Sequence, residues 1–186
     1  IELQDRQDDL FWDGEAGGYY LNDGVDAHIL VRSKVFGDSS MPSGNGVSAY
    51  NLLRLADYTG NMSYKDKAEQ LFRLVASPLK EGNYTYGQFV LALDYYFDRA
   101  KEIGIVGDPS SEEVQSVLKQ LYMQFLPNMV MAVSKTPSES LIPFLKDKPG
   151  DTVGMVYVCE SGACQLPTTN VESVVDQASV YTVISS

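Results

Sequence analysis

The stretch from Pro42 to Gly60 constrains the fold most, because it delivers a helix that needs cover on more than one side. Pro42 has no backbone N–H to donate, and it pushes Met41 out of the helical region. Ser43 and Asn45 supply acceptors for the free amides of a helix start, and Gly44 and Gly46 permit tight turns. Val47, Tyr50, Leu53 and Tyr58 fall near helical spacing, and Ala49, Leu52, Leu55 and Ala56 widen the apolar arc beyond what a surface helix needs. Gly60 stands where a left-handed cap ends the helix.

Upstream, Leu3, Leu10 and Phe11 among acids suit a helix over the first dozen residues. Turn chemistry at residues 13–18 and 22–24, a short strand at 19–21 and the alternation of Ile29 to Val35 predict a β-hairpin, with Arg32 and Lys34 on one face. Downstream, the spacing predicts a helix over 63–76, capped by Ser63 and ended by Pro78, and another over 85–100. Three consecutive helices with short connections make antiparallel neighbours. From Lys101 the pattern changes. Strands are predicted at 103–106, 128–133 and 153–159, with a return at 164–167. Helices are predicted from a Ser110 and Glu113 capping box through Val114, Val117, Leu118, Leu121 and Phe125, and over 171–181, with a short helix or loop at 137–145. Continuous apolar strands alternating with helices indicate a small, partly parallel sheet covered by helices. The expected fold class is therefore mixed α+β: a helical-hairpin array with a β-hairpin over 1–100, then a small three-layer α/β subdomain over 101–186.

Charge narrows the partners. The 186 residues carry a formal charge of -11, which repels phosphate backbones and anionic membranes and argues against nucleic acid as a partner. Eight of the acids lie in the first 31 residues against one basic residue, Arg6. That run is read as a solvated face, with a cation or sugar site as the sharper alternative. No run of about 18 apolar residues is present, so no membrane span is expected. One histidine, His28, and two cysteines do not supply a zinc set of the usual kind, and no metal or other cofactor is expected. The sequence points to a soluble chain of the cytoplasm or an organelle lumen or matrix rather than a secreted one.

Four candidate sites remain. Gly104 and Gly107 lack the spacing of a dinucleotide loop and suit a strand-to-helix turn. Cys159 and Cys164 flank a turn and can face each other across a hairpin. A reduced structural pair is favoured, and a redox pair is the alternative. His28 reads as a surface residue. Asp13, Glu15 and Asp38 suit turn-forming and capping roles, with paired carboxylates for sugar chemistry as the alternative.

The run Phe11-Trp12-Asp13, Gly17-Gly18-Tyr19-Tyr20, Leu30-Val31-Arg32-Ser33-Lys34, Asp38, then Pro42-Ser43-Gly44-Asn45 leading to Ala49-Tyr50-Asn51-Leu52-Leu53-Arg54-Leu55, resembles the spermatogenesis-associated protein 20 family. Lys101 to Gly107, Leu126-Pro127-Asn128, Tyr157 to Glu160 and Cys164-Gln165-Leu166-Pro167-Thr168-Thr169 resemble that family's C-terminal signature. The resemblance covers about the whole chain. It implies a protein with a thioredoxin-like domain, then a six-hairpin-glycosidase-like (α/α)6 barrel similar to sugar epimerases, with this chain as the C-terminal part. Residues 1–100 would then be a fragment of an α/α toroid. It implies no catalytic residue at any position of this chain. The motif positions Arg32, Lys34, Asp38, Ser43, Asn45, Cys159 and Cys164 are the expected shared site. In a sugar cleft, Arg32 and Lys34 would donate, Asp38 would accept, and Tyr19 or Tyr50 would stack. The favoured expectation is a non-catalytic interaction or scaffold subunit that packs against an upstream segment or another chain. The alternative is one wall of an epimerase-like carbohydrate cleft.

Overall fold

Capping chemistry sets where the helices begin in the computed structural model, which describes residues 1–82, 84–98, 100–150 and 153–179. The chain divides into two compact units, Ile1–Ala56 with Asn61–Asp94, and Asp57–Gly60 with Tyr95–Ser186. Among the described residues the fold is mixed, with seven α-helices and one four-stranded sheet.

The first unit is helical. Its elements are α1 (Glu2–Phe11), all but the last three residues of α2 (Gly44–Thr59), α3 (Met62–Lys80), a 3-10 turn at Tyr84–Tyr86, and all but the last three residues of α4 (Gly87–Phe97). Helix α2 starts as the turn chemistry predicts: the Ser43 hydroxyl accepts the Gly46 amide at 3.1 Å, and the Ser43 carbonyl accepts the Val47 amide. Helix α3 is capped two residues earlier than expected, because the Asn61 side chain takes the Ser63 amide. Pro78 does not end it. The proline lies in the last turn, so the one ladder bond it removes is near the helix end, and the Glu81 amide still closes on the Ser77 carbonyl at 3.2 Å. Buried positions are Ala49, Leu52, Leu53 and Ala56 of α2, Tyr64, Ala68, Leu71, Phe72 and Val75 of α3, and Phe89 and Ala92 of α4. The Phe89 ring lies 6.4 Å from each of Phe36, Phe72 and Tyr86.

The expected β-hairpin of the opening residues is not formed. In its place stand an isolated antiparallel bridge, Trp12 to Tyr19, and single bonds such as Leu21 N–H to the Ser33 carbonyl. Ile29, Leu30 and Val31 are exposed, so their alternation has no buried face to register against. Side chains rather than a ladder hold this segment.

The second unit carries the sheet: β1 (Lys101–Val106), β2 (Met129–Ser134), β3 (Met155–Glu160) and β4 (Ala163–Cys164), in the order β2-β1-β3-β4. Strands β1 and β2 are parallel, joined through α5 (Glu112–Tyr122), and β3 pairs antiparallel with both β1 and β4. One face holds Ile103, Ile105, Val156 and Val158 against α5 and against α7 (Val171–Ala178). The other face holds Val130 under Phe144 and Leu145 of the short helix α6 (Pro143–Lys146), and Val106, Tyr157 and Cys159. Helix α5 is capped by Ser111, whose hydroxyl takes the Val114 amide, while Ser110 belongs to a turn with Asp108. The last expected helix ends at Ala178, and the rest of its expected span, through Tyr181, lies outside the described residues. Gly104 and Gly107 are packing glycines. A Cβ at Gly104 would come 3.0 Å from a Leu145 methyl, and one at Gly107, where φ is +145°, would come 2.6 Å from a Val114 methyl.

Candidate functional site

Of the polar residues expected to form a site, Asp38, Ser43 and Asn45 meet at the start of α2, and their donors and acceptors turn inward. Asn45, 2 % exposed, accepts the Tyr19 amide at 2.7 Å and donates to the carbonyls of Tyr19 at 3.0 Å and Val35 at 2.9 Å. One amide side chain thus joins two loop segments to the first turn of a helix. Asp38 accepts the Ser43 amide on one oxygen and the Gln88 amide on the other, both at 2.8 Å. It sits at the N-termini of α2 and α4, where backbone amides and the helix dipoles favour a carboxylate.

Arg32 and Lys34 fasten the preceding loop. The Arg32 guanidinium donates to the carbonyls of Asn22 and Leu10 and lies 4.0 Å from the Tyr20 ring centroid. The Lys34 ammonium donates to Asp13 at 2.6 Å and to the Gly17 carbonyl at 2.5 Å, and it stands 4.7 Å from the same ring. Tyr19 is buried. Its hydroxyl donates to Asp8 at 2.6 Å and accepts from Gln4 at 3.0 Å, and its ring meets Trp12 edge-on at 4.9 Å. Burial and the Asp8 carboxylate push the Tyr19 hydroxyl far above the usual phenol range. Lys67 also pairs with Asp8. Tyr50 is half-buried on α2, and its ring centroid is 5.8 Å from the Arg54 guanidinium. The structure brings Asp38, Ser43, Asn45 and Tyr19 together, and Arg32 with Lys34 around Tyr20. Tyr50 joins neither group.

Asp13 takes the turn-forming role. It accepts the amides of Glu15 and Ala16, the Tyr20 hydroxyl and the Lys34 ammonium. The Lys34 ammonium foremost, then Tyr20 and the two amides, hold its carboxyl well below the usual carboxylate range. A depressed folded value adds stability that is present above the unfolded pKa of about 4 and is lost as pH falls through the folded one. In Lys34→Met the urea midpoint is therefore expected to lie below wild type at pH 7, with the gap narrowing between pH 4 and pH 2. A gap that stays constant down to pH 2 would mean that the ion pair contributes nothing. His28 is exposed beside Asp26.

In the second unit Cys159 and Cys164 are not the reduced pair that the sequence favoured. They form a disulfide, because the β3–β4 register sets the two residues directly opposite each other across the Ser161-Gly162 turn. Ser161 and Gly162 both take positive φ, which suits a two-residue hairpin. Cys159 is buried and Cys164 exposed. The Lys148 ammonium is 2.8 Å from the Cys164 sulfur and 5.3 Å from the Tyr157 ring centroid. Glu102 is the register partner of Cys159 on β1, so the two side chains leave the same face of the sheet. Burial pushes the Glu102 carboxyl up, its Oε2 has no hydrogen-bond partner, and the Gly162 amide donates to the carboxylate. Sequence reasoning missed Glu102 and Lys148. The first was visible only as a lone acid in an apolar strand, and the second carried no signal. A separate open cleft of about 550 Å³ runs between α5 and α7, lined by Gln120, Met123, Gln124, Val171, Glu172 and Val175 among others. No group of acids, cysteines and histidine fit to hold a metal ion occurs among the described residues. Nor is any described helix long and apolar enough to cross a membrane.

The chain is similar to spermatogenesis-associated protein 20 of Homo sapiens, with 32% identity over 176 residues, covering 91% of this chain and 22% of that protein. The Mus musculus protein of the same name matches with the same identity and coverage. An uncharacterized Caenorhabditis elegans protein is 28% identical over 169 residues, covering 90% of this chain and 23% of that protein. The chain thus spans about a fifth of the length of the curated relatives it matches. No protein-family model and no solved structure matches it significantly.

Proposed function

Because the chain belongs to the spermatogenesis-associated protein 20 family, we propose that it serves as a non-catalytic interaction or scaffold part of a longer, six-hairpin-glycosidase-like protein. In this reading it derives from the C-terminal part of that protein, and its first helices are a fragment of an α/α toroid. An upstream segment or a partner chain covers them. One observation carries the reading: the side chains that a sugar site would need are engaged inside the chain. Asn45, Asp38 and Arg32 bind backbone, and Lys34 binds the Asp13 carboxylate and the Gly17 carbonyl. The outward face of α4 instead carries an apolar pair, Val90 53% and Leu91 59% exposed, next to exposed Asp94. In this reading that pair belongs to an interaction surface.

The alternative is one wall of an epimerase-like carbohydrate cleft. It draws support from Arg54, whose buried Nε has no hydrogen-bond partner beside the Tyr50 ring. One set of measurements separates the two. The isolated chain is expected to self-associate on sedimentation, and the double variant Val90→Ser, Leu91→Ser to weaken that association about tenfold. Calorimetry with common mono- and disaccharides is expected to show no heat. A monomer unaffected by the two substitutions would overturn the interaction reading, and saturable sugar binding lost in Arg54→Gln would establish the alternative.

A further inference from the structure

We infer that Cys159 and Cys164 form a thiol–disulfide exchange site, with Cys164 as the attacking sulfur, Cys159 as the resolving sulfur and Lys148 as the ion-pair partner of the Cys164 thiolate. Three observations on one face of the sheet converge on this. The pair is asymmetric, Cys159 being 1% exposed and Cys164 open to solvent. A cation stands 2.8 Å from the open sulfur. A half-buried carboxylate with an unpartnered oxygen is the register neighbour of the closed one. A cysteine pair that only stapled the hairpin would need neither group. The staple itself closes a short loop, so it removes less freedom from the unfolded chain than a bridge over a long one would.

The chemistry balances as two exchanges. In the reduced pair the Cys164 thiolate, held by the Lys148 ammonium, attacks one sulfur of a substrate disulfide. A mixed disulfide forms and the first substrate thiolate departs. Cys159 then gives its proton to the Glu102 carboxylate and attacks the Cys164 sulfur. The second substrate thiolate departs, and the Cys159–Cys164 bond closes. Two electrons have passed from the pair to the substrate. A dithiol returns them by the reverse sequence and becomes a disulfide itself. Burial raises the proton affinity of Glu102, which suits it to take that proton.

The test uses the whole chain, reduced with dithiothreitol, desalted and checked for unchanged far-ultraviolet dichroism, with oxidised glutathione as the probe disulfide. Cys164 is expected to alkylate with iodoacetamide at least tenfold faster than Cys159 at pH 7. In Lys148→Gln the Cys164 rate is expected to fall about tenfold, its pH profile moving up by about one unit toward the ordinary thiol value. In Cys159→Ser a glutathione adduct is expected to accumulate on Cys164 and persist, whereas wild type passes on to the closed disulfide. In Glu102→Gln the adduct is expected to form at the wild-type rate and to close several-fold more slowly. Equal alkylation of the two cysteines, a Cys164 profile indifferent to Lys148→Gln, or no adduct in Cys159→Ser would each overturn the assignment. Closure at the wild-type rate in Glu102→Gln would remove Glu102 as the base.

Discussion

Asn45→Ala is expected to destabilise the first unit by about 4 kcal/mol, the largest effect of any single polar substitution in it. The substitution removes three hydrogen bonds and leaves the amide and carbonyl of Tyr19 and the carbonyl of Val35 without their partner. An orphaned buried backbone group costs about 1–3 kcal/mol; the two Tyr19 groups are buried and the Val35 carbonyl only partly so, which keeps the sum below three full penalties. Asn45→Asp separates geometry from polarity. The carboxylate keeps the acceptor for Tyr19 N–H but turns an oxygen toward two carbonyl oxygens, so it is expected to do as much harm as alanine. Trp12, the single tryptophan, lies 4.9 Å from the Tyr19 ring and reports the change without a label. Urea titration followed by Trp12 fluorescence checks both variants. A midpoint within about 1 kcal/mol of wild type for either would mean that the loop holds without the clasp. Against a typical domain stability of about 5–15 kcal/mol, the expected loss takes away a large fraction of the whole.

Phe89→Ala is expected to cost about 3–5 kcal/mol through the cavity it leaves. Phe89 is fully buried and has aromatic neighbours in Phe36, Phe72 and Tyr86, drawn from a loop, a helix and a 3-10 turn. Three partners from three separate segments cannot close over the void at once, which places the expected loss at the upper end. Phe89→Leu keeps most of the volume and is expected to cost less than about 1.5 kcal/mol. The measurement is the difference between the two variants in urea. Equal losses would show that the site collapses freely and that the ring cluster contributes no more than its greasy area.

The helices and the sheet were legible because periodicity reports burial. The buried positions of α3, from Ala68 to Val75, and the strands β1 and β3 follow their apolar patterns closely. The buried face of α2 was less so. Val47 is 37% exposed, while Ser48 and Asn45 are buried, because the clasp on Tyr19 and Val35 rotates the helix away from its most apolar arc. Hydrogen bonds between residues 26 positions apart leave no periodic trace. The opening hairpin failed for the related reason that β-propensity without a covered face does not set a register. Of the motif residues, Asp38, Ser43 and Asn45 do meet, with Tyr19, while Arg32 and Lys34 gather around Tyr20 and the two cysteines lie in the second unit. Their inward direction was not legible, because a sequence shows which atoms a residue owns and not where they point. The disulfide could not be read either, since its formation rests on the register of two strands and the shape of the turn between them.

The position of β1 inside the sheet bears on how the polypeptide is made. Its two flanks are filled by β2 and β3, and β3 begins roughly fifty residues after β1 ends. At about 5–20 residues per second, a ribosome needs about 3–10 s to deliver that second neighbour. Over that interval a nascent chain carries an apolar strand with both ladders open until β2 is made, and with one open from then until β3 arrives. Slow codons between positions 107 and 154 are expected to lengthen the exposure, and fast ones to shorten it, without altering a single amino acid.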